Sequence, residues 1–281
     1  MTTTSPPMLA SAPTVDTHRV GFGSLLRSEW TKLRSVRSTI WSLLLLVILT
    51  IGLMALITIA VVASWNNTRG GGSGHTQIVA DPVGFLFGTG FFIGQIPICV
   101  LGVLVMASEY STGMIRSSLL AVPKRLPMLW AKCIVFATVV LVVGEATAFA
   151  SFFLGSALLH SKVPVSIGDP DVLRAVIGAG LYLAVLALFS LAIGGIVRHT
   201  AGAITGAVIF VVVLAPLAQA LPGSWGSHIH GYLPTEAGSL IASTHQASGQ
   251  VLSSWEGFAV FCLWTAILLA VAAFLLDARD A

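Results

Sequence analysis

The sequence predicts an all-α membrane protein with six transmembrane helices, preceded by an amphipathic helix at the membrane interface and with both termini in the cytoplasm. Of the 281 residues, 56% are hydrophobic and only 9% are charged, whereas soluble domains carry about 25% charged residues. The charges are clustered and leave long uncharged stretches between them. Apolar stretches of about 18 residues or more are typical of membrane-spanning helices.

Each predicted span is an apolar stretch bounded by polar or charged residues. The first is the clearest, because no Asp, Glu, Lys or Arg occurs between Ser38 and Thr68. Leu, Ile and Val dominate it, and these residues favour insertion into the bilayer. An even number of spans places both termini on the same side. The predicted spans are residues 40–63, 84–107, 129–158, 172–197, 201–220 and 257–276.

The distribution of basic residues sets the orientation, because Lys and Arg collect in cytoplasmic loops. Eleven of the 14 fall in loops or span ends that six spans place inside, and three fall in loops or span ends placed outside, namely Arg69, Lys162 and Arg174. We therefore expect cytoplasmic termini. The basic residues flank apolar segments and form no continuous patch for nucleic acid.

The domain organisation is simple. Residues 1–19 are rich in Ser, Thr and Pro and contain no apolar core, which predicts a disordered tail and not a signal peptide. Residues 20–281 form a single transmembrane domain. No metal site is predicted, because only Glu236 lies near the external histidines, which we interpret as solvated loop residues: His228, His230 and His245.

An amphipathic segment precedes the first span. Its apolar positions share one helical face, but Glu29 projects from the middle of that face. One interpretation is a surface anchor in which Glu29 pairs with Lys32, three residues on. The other is a docking surface for protein.

A polar segment, residues 109–116, follows the second span. By itself it is typical of a basic juxtamembrane loop held at the lipid headgroups. As a short element between two long spans, it is alternatively suited to transmit force to them.

Glu145 lies near the middle of the third span. A carboxylate at this depth costs roughly 2.5 to 3.5 kcal/mol by insertion scales, and such residues are functional candidates. No Lys or Arg is predicted at the same depth. A structural hydrogen bond and a role in cargo or proton movement both stay open.

Small residues four positions apart predict close helix approach or a dimer contact. Three such pairs occur: Gly84 with Gly88, Gly90 with Gly94, and Gly202 with Gly206.

The sequence contains no G-x-x-x-x-G-K-[ST] motif, so it has no P-loop to bind nucleotide phosphates. We expect no enzymatic activity and no bound cofactor in this chain. ATP would be bound and hydrolysed by a separate subunit.

Four runs of residues, in order along most of the chain, resemble the permease subunits of type-2 ABC exporters, in particular those that lack their own ATPase domain. The runs are Ser28-Glu29-Trp30-Thr31-Lys32-Leu33-Arg34-Ser35, Glu109-Tyr110-Ser111-Thr112-Gly113-Met114-Ile115-Arg116, Tyr232-Leu233-Pro234 and Asp277-Ala278-Arg279-Asp280-Ala281. The resemblance implies that residues 20–281 are a permease domain. It also implies a separate P-loop ATPase, a second permease copy, identical or closely related, and the bacterial plasma membrane.

The resemblance assigns roles to two segments. It implies that the amphipathic segment is an elbow helix, with Glu29, Trp30, Lys32 and Arg34 as its characteristic residues. It implies that the polar segment is a coupling helix resting on the ATPase, and that residues 221–255 form short re-entrant external helices. The expected coupling residues are Glu109, Tyr110, Gly113, Ile115 and Arg116.

The expected function is export of an amphipathic compound such as a drug, antibiotic, peptide or lipid. Two alternatives stay open: a proton-coupled secondary transporter that uses Glu145, and a non-transporting membrane sensor or assembly subunit. The sequence does not specify the cargo.

Overall fold

The computed structural model describes residues 21–65, 73–113, 125–219, 224–245 and 250–278. Within these ranges the regular structure is helical and there is no β-strand. The predicted tail, residues 1–19, and the expected coupling residues Ile115 and Arg116 lie outside the described residues.

The helices are numbered here in chain order. They are α1 (Phe22–Ser35), α2 (Arg37–Ser64), α3 (Ser73–Ala80), α4 (Pro82–Ser111), α5 (Arg125–Leu159), α6 (Val172–Val197), α7 (Thr200–Val208), a π-helical segment (Ile209–Val213), α8 (Leu214–Gln219), α9 (Ser224–Tyr232), α10 (Pro234–Ser239), a 3₁₀ turn (Leu240–Ala242) and α11 (Ser254–Ala278).

Five of the described helices, namely α2, α4, α5, α6 and α11, are long and apolar enough to cross a bilayer. The chain is therefore a multi-pass membrane protein. In the most apolar window of α6, 72% of residues are buried inside the protein, against 22% in α2 and in α11. Helix α6 consequently lies at the centre of the bundle, and the apolar faces of α2 and α11 are available to lipid.

The predicted span 201–220 differs from the other five. It consists of α7, the π-helical segment and α8, which follow one another without a break, and it is not among the five helices found long and apolar enough to cross a bilayer. Pro216 accounts for the π-helical segment, because it has no N–H to donate to the carbonyl of Val212 and its ring crowds that carbonyl. A turn of wider π-helix relieves such crowding. Six spans therefore remain a prediction.

Glycines set how closely the central helices approach. A methyl group added at Gly102 of α4 would lie 2.8 Å from Cβ of Ser190 in α6, and one added at Gly194 of α6 would lie 2.8 Å from the carbonyl oxygen of Val103. The two backbones are thus nearly in contact. Only glycine permits this packing.

The three predicted small-residue pairs have different surroundings. Gly90 and Gly94 lie against Thr50 of α2, so this pair packs two helices of the same chain. Gly88 and Gly206, by contrast, have no atom within 4 Å of an added methyl group.

Helices α4 and α5 extend beyond the predicted spans, at the end where they approach α1. Helix α4 continues to Ser111, past the predicted end at residue 107, and α5 begins at Arg125, before the predicted start at residue 129. Gly113 has a φ of 71°, in the left-handed region that glycine adopts at little cost, and its N–H donates to the carbonyl of Tyr110. Glu109 and Tyr110 therefore belong to the last turn of the membrane helix.

Candidate functional site: a buried charge cluster and a distal cavity

Four charged side chains from three helices meet at the end of the bundle where α1 packs. They are Glu29 and Lys32 of α1, Glu109 of α4 and Lys132 of α5, and we call them the four-charge cluster. The Glu29–Lys32 pair predicted from the spacing in α1 is present, with Nζ 2.7 Å from Oε1. Lys132 and Glu109 were not expected to join it.

Each lysine contacts both carboxylates. Nζ of Lys132 lies 2.8 Å from Oε2 of Glu29 and 2.8 Å from Oε1 of Glu109. Nζ of Lys32 lies 3.0 Å from the same Oε1 of Glu109. Two positive and two negative charges balance, so the cluster has no net charge.

The cluster is buried on one side and open on the other. The side chains of Glu29, Glu109 and Lys132 are only 3% to 5% exposed, whereas that of Lys32 is 33% exposed. Buried charges are tolerated only when they are paired and hydrogen-bonded. The position of α1 against α4 and α5 is therefore fixed by electrostatic pairing as well as by apolar contact.

The local fold explains why Glu29 reaches the cluster. Leu25, Glu29 and Leu33 follow one another at intervals of four, and all three are buried. This spacing places them on one face of a helix. The carboxylate that interrupts the apolar face of α1 is thus the group that meets Lys132.

The environment shifts the pKa of two members of the cluster. Burial raises the pKa of Glu29, but the lysines Lys132 and Lys32 outweigh this effect, so its pKa lies below the ordinary value. Burial lowers the pKa of Lys32, but Glu29 and Glu109 outweigh it, so its pKa lies above the ordinary value. Both shifts favour the charged forms.

Glu109 depends on the lysines more than Glu29 does. Its Oε1 is contacted by both lysines, but its Oε2 is buried and has no hydrogen-bond partner. A buried acceptor without a partner is costly. Loss of Lys132 would therefore leave Glu109 with only the partly exposed Lys32.

Tyr110, the next residue, connects the same turn of α4 to the opposite side of the bundle. The guanidinium carbon of Arg198 lies 4.8 Å from the centre of the Tyr110 ring. Nη2 of Arg198 also donates to the carbonyl of Leu275 in α11 at 2.6 Å. Arg198 has a φ of 57° and ends α6. The last turn of α4 is thus linked to α1 and α5 through Glu109 and to α6 and α11 through Tyr110.

The residues expected to couple to an ATPase fall into two groups. Glu109 is only 4% exposed and Tyr110 is half-buried, so both contact other helices of this chain. Gly113 is exposed. On α1, Trp30 and Arg34 are exposed on the face away from the cluster.

Glu145 lies between α5 and α6, where its carboxyl group packs against Gly180. Its Oε2 is buried and has no hydrogen-bond partner. Glu145 is part of neither the four-charge cluster nor the lining of the cavity at the other end of the bundle.

A cavity of about 440 Å³ opens at that other end, between α4, α6, the π-helical segment and helices α9 and α10. We call it the distal cavity. Gln95 lines it and lies 14 residues before Glu109 on α4, about 21 Å along the helix axis. Its aromatic walls are Phe87, Phe91, Phe92 and Tyr182, and its carboxylate and imidazole side chains among those described are Asp81, His230 and Glu236.

Hydrogen bonds hold the walls of the distal cavity in place. Tyr182 donates its hydroxyl to Oε1 of Gln95 at 2.6 Å. Asp81 accepts at Oδ1 from both the backbone N–H and the hydroxyl of Thr244, at 3.2 and 2.5 Å. Arg174 donates to the carbonyls of Ile241 and Ser243, which fixes the 3₁₀ turn against α6.

The histidines predicted to be solvated differ from one another. His228 and His245 are exposed. His230 lines the distal cavity, with Nε2 3.6 Å from Oε2 of Glu236. Among the described residues, no group of three or more His, Cys, Asp or Glu side chains is placed to hold a metal ion.

The fold and these two sites define a multi-pass helical membrane protein with a charged junction at one end and a cavity at the other. Comparison with known protein families and with curated proteins finds no match for the chain. Its function is therefore inferred from its own residues and their geometry.

Proposed function

We propose that the chain is the transmembrane permease subunit of an ATP-driven ABC exporter, working in the bacterial plasma membrane with a separate P-loop ATPase. The observation that carries this proposal is the four-charge cluster, which joins the amphipathic helix α1 to the ends of α4 and α5. The segment that resembles a coupling helix, residues 109–116, begins in the last turn of α4 and continues into the sequence that leads to α5.

The geometry supports a mechanical role for this junction. A force applied to residues 112–116 acts directly on the last turn of α4, and Glu109 and Tyr110 in that turn link it to four other helices. Tightly paired buried charges favour movement of α1, α4 and α5 as one unit, because separating them exposes unpaired charges to a low-dielectric environment. Closure of the ATPase would thereby switch a path through the bundle between opening to one side of the membrane and opening to the other.

The proposal divides the expected coupling residues by role. Gly113, Ile115 and Arg116 are the candidates for direct contact with the ATPase. Glu109 and Tyr110 pass the movement on within the permease, since both pack against other helices of this chain. A second permease copy, identical or closely related, would complete the transport path, and ATP would be bound only by the partner.

The experiment that tests this proposal is purification of the tagged chain from its native membrane in mild detergent, followed by mass spectrometry. A P-loop ATPase in equal amount is the expected result. Arg116→Glu should abolish its recovery, and Lys162→Glu, in a segment predicted to be external, should not. Recovery of the chain without any ATPase would contradict the proposal.

A proton-coupled secondary transporter is the second candidate, and the observation in its favour is the buried Oε2 of Glu145 without a hydrogen-bond partner. The position of Glu145 outside the lining of the distal cavity gives no support to a direct contact with cargo there. A non-transporting sensor would also use the charged junction, but it would associate with the ATPase without moving any compound.

A further inference from the structure

The distal cavity has the size and lining of a small-molecule site. Its volume of about 440 Å³ falls within the roughly 300 to 1,000 Å³ typical of ligand pockets. Such pockets combine apolar and aromatic walls with a few polar groups. The aromatic rings of the distal cavity lie on α4 and α6, and its carboxylate and imidazole groups lie just before α4 and on α9 and α10.

The charge of the lining is negative. Asp81 and Glu236 contribute carboxylates, and no Lys or Arg belongs to the lining within the described part of the chain. Arg174 lies at the same end of the bundle, but its guanidinium donates to Asp171, Ile241 and Ser243. The described lining therefore favours a positively charged ligand.

The two carboxylates are not equally available. Oδ1 of Asp81 already accepts hydrogen bonds from Gly84 and Thr244, which hold the start of α4 against the turn that follows α10. The side chain of Glu236 is 38% exposed, and its Oε2 lies 3.6 Å from Nε2 of His230. Glu236 is consequently the carboxylate best placed to meet a ligand, and Asp81 has a structural role.

We propose that the distal cavity binds an amphipathic organic cation, with its positive group near Glu236 and its apolar body against the aromatic walls. A cation near the face of an aromatic ring is attracted by the negative charge density of that face. Phe92 is 48% exposed and lines the cavity, so its ring is accessible to such a group. That this ligand is the exported cargo rests on the proposed function, whereas binding itself does not.

Binding should weaken in acid. Burial raises the pKa of Glu236 above its ordinary value, and His230 opposes that shift. As the pH falls through the raised value, Glu236 loses its charge and with it the attraction for a cation. Asp81 and Tyr182 are the other titratable groups that line the cavity among the described residues.

The test is equilibrium binding of tetraphenylphosphonium to the purified full-length chain in detergent, without ATPase. Tetraphenylborate, an anion of the same shape, serves as the matched control ligand. Glu256 is an exposed carboxylate outside the cavity lining, so Glu256→Gln is the matched control variant. We expect the cation to bind, the anion not to bind, Glu236→Gln to weaken binding about tenfold or more, and Glu256→Gln to leave it unchanged.

Equal binding of the cation and the anion, or equal affinity of wild type and Glu236→Gln, would overturn the proposal. A lower affinity in wild type at pH 5 than at pH 8, absent in Glu236→Gln, would support it. The two proposals fail separately. Cation binding without ATP-driven transport would contradict only the exporter, and ATP-driven transport of another compound without cation binding would contradict only this site.

Discussion

The ammonium group of Lys132 lies 2.8 Å from a carboxylate oxygen of Glu29, although 103 positions separate the two residues in the chain. The contact joins the amphipathic helix α1 to the beginning of α5. Glu109 accepts from the same ammonium group, so α4 is fixed at the same point. The four-charge cluster therefore joins α1, α4 and α5 at one point, on which the proposed transmission of movement depends.

Replacing Lys132 with Met should undock α1. The change leaves two buried carboxylates near each other with one partly exposed lysine, and removing one partner of a buried ion pair costs about 3 to 5 kcal/mol. Spin labels at the exposed positions Arg27 on α1 and Trp130 on α5 would measure the separation of the two helices. We expect a narrow distance distribution in wild type and a broad one in Lys132→Met.

Lys32→Met provides the matched control, because Lys32 contacts the same two carboxylates but is 33% exposed, against 3% for Lys132. Water compensates part of its loss, so the broadening should be smaller. An equal effect of the two substitutions would show that burial does not govern the strength of the junction.

The ion pairs of the four-charge cluster should persist over a wide range of pH. Glu29 has a pKa below its ordinary value of 4.5, so its stabilising effect is fully present above 4.5 and is lost only as the pH falls through that lower value. Lys32 has a pKa above its ordinary value of 10.5, so its effect is fully present below 10.5 and is lost as the pH rises through that higher value. The distance between the labels at positions 27 and 130 should stay constant from about pH 5 to about pH 10. A transition near neutral pH would contradict this electrostatic description.

Gly90→Ala should destabilise the bundle, whereas Gly206→Ala should not. An added methyl group at Gly90 would lie 2.5 Å from the carbonyl oxygen of Thr50, while at Gly206 it would meet no atom within 4 Å. Overpacking typically costs about 1 to 3 kcal/mol. Thermal unfolding in detergent would compare the two variants, and equal melting temperatures would contradict the packing of α4 on α2.

Glu145→Gln should leave ATP-driven transport intact. The substitution keeps the size of the side chain where it packs against Gly180 but removes its ability to carry a proton. The measurement is ATP-dependent uptake of tetraphenylphosphonium into inside-out vesicles that contain the chain and its ATPase. An unchanged rate would support the ATP-driven account, whereas loss of uptake together with uptake driven by a pH gradient alone would favour the secondary transporter.

Much of the helical framework follows from composition and periodicity. The amphipathic helix, its buried Glu29 and the pair with Lys32 are predictable because all of this information lies within one or two turns of α1. The π-helical segment within the predicted span 201–220 is less predictable, because the hydropathy of that span resembles that of a regular one. Pro216 was the local signal for it.

Only the Glu29–Lys32 pair of the four-charge cluster was predicted from the sequence. Local spacing pairs residues three or four positions apart, and it carries no information about contacts between α1 and α5. The position of Lys132 inside a predicted span was nevertheless a signal, because a lysine at that place requires a partner. Its partner had to be a carboxylate near the same membrane surface, and Glu29 and Glu109 both met that condition.

The distal cavity was not predictable from the sequence. It depends on how α9 and α10 pack over α4 and α6, and the order of residues does not reveal this packing. The Tyr182–Gln95 hydrogen bond joins two helices whose apolar stretches appear similar in sequence. His230 therefore looked like an ordinary loop histidine.

The most direct test of the exporter proposal is site-specific photo-cross-linking in native membranes. A photoreactive amino acid replaces Ile115 in one variant and the exposed Ser166, predicted to lie on the opposite side of the membrane, in the control. The proposal predicts a cross-linked P-loop ATPase from position 115 and none from position 166. Cross-links from position 115 to lipid alone, or to proteins without a P-loop, would contradict it.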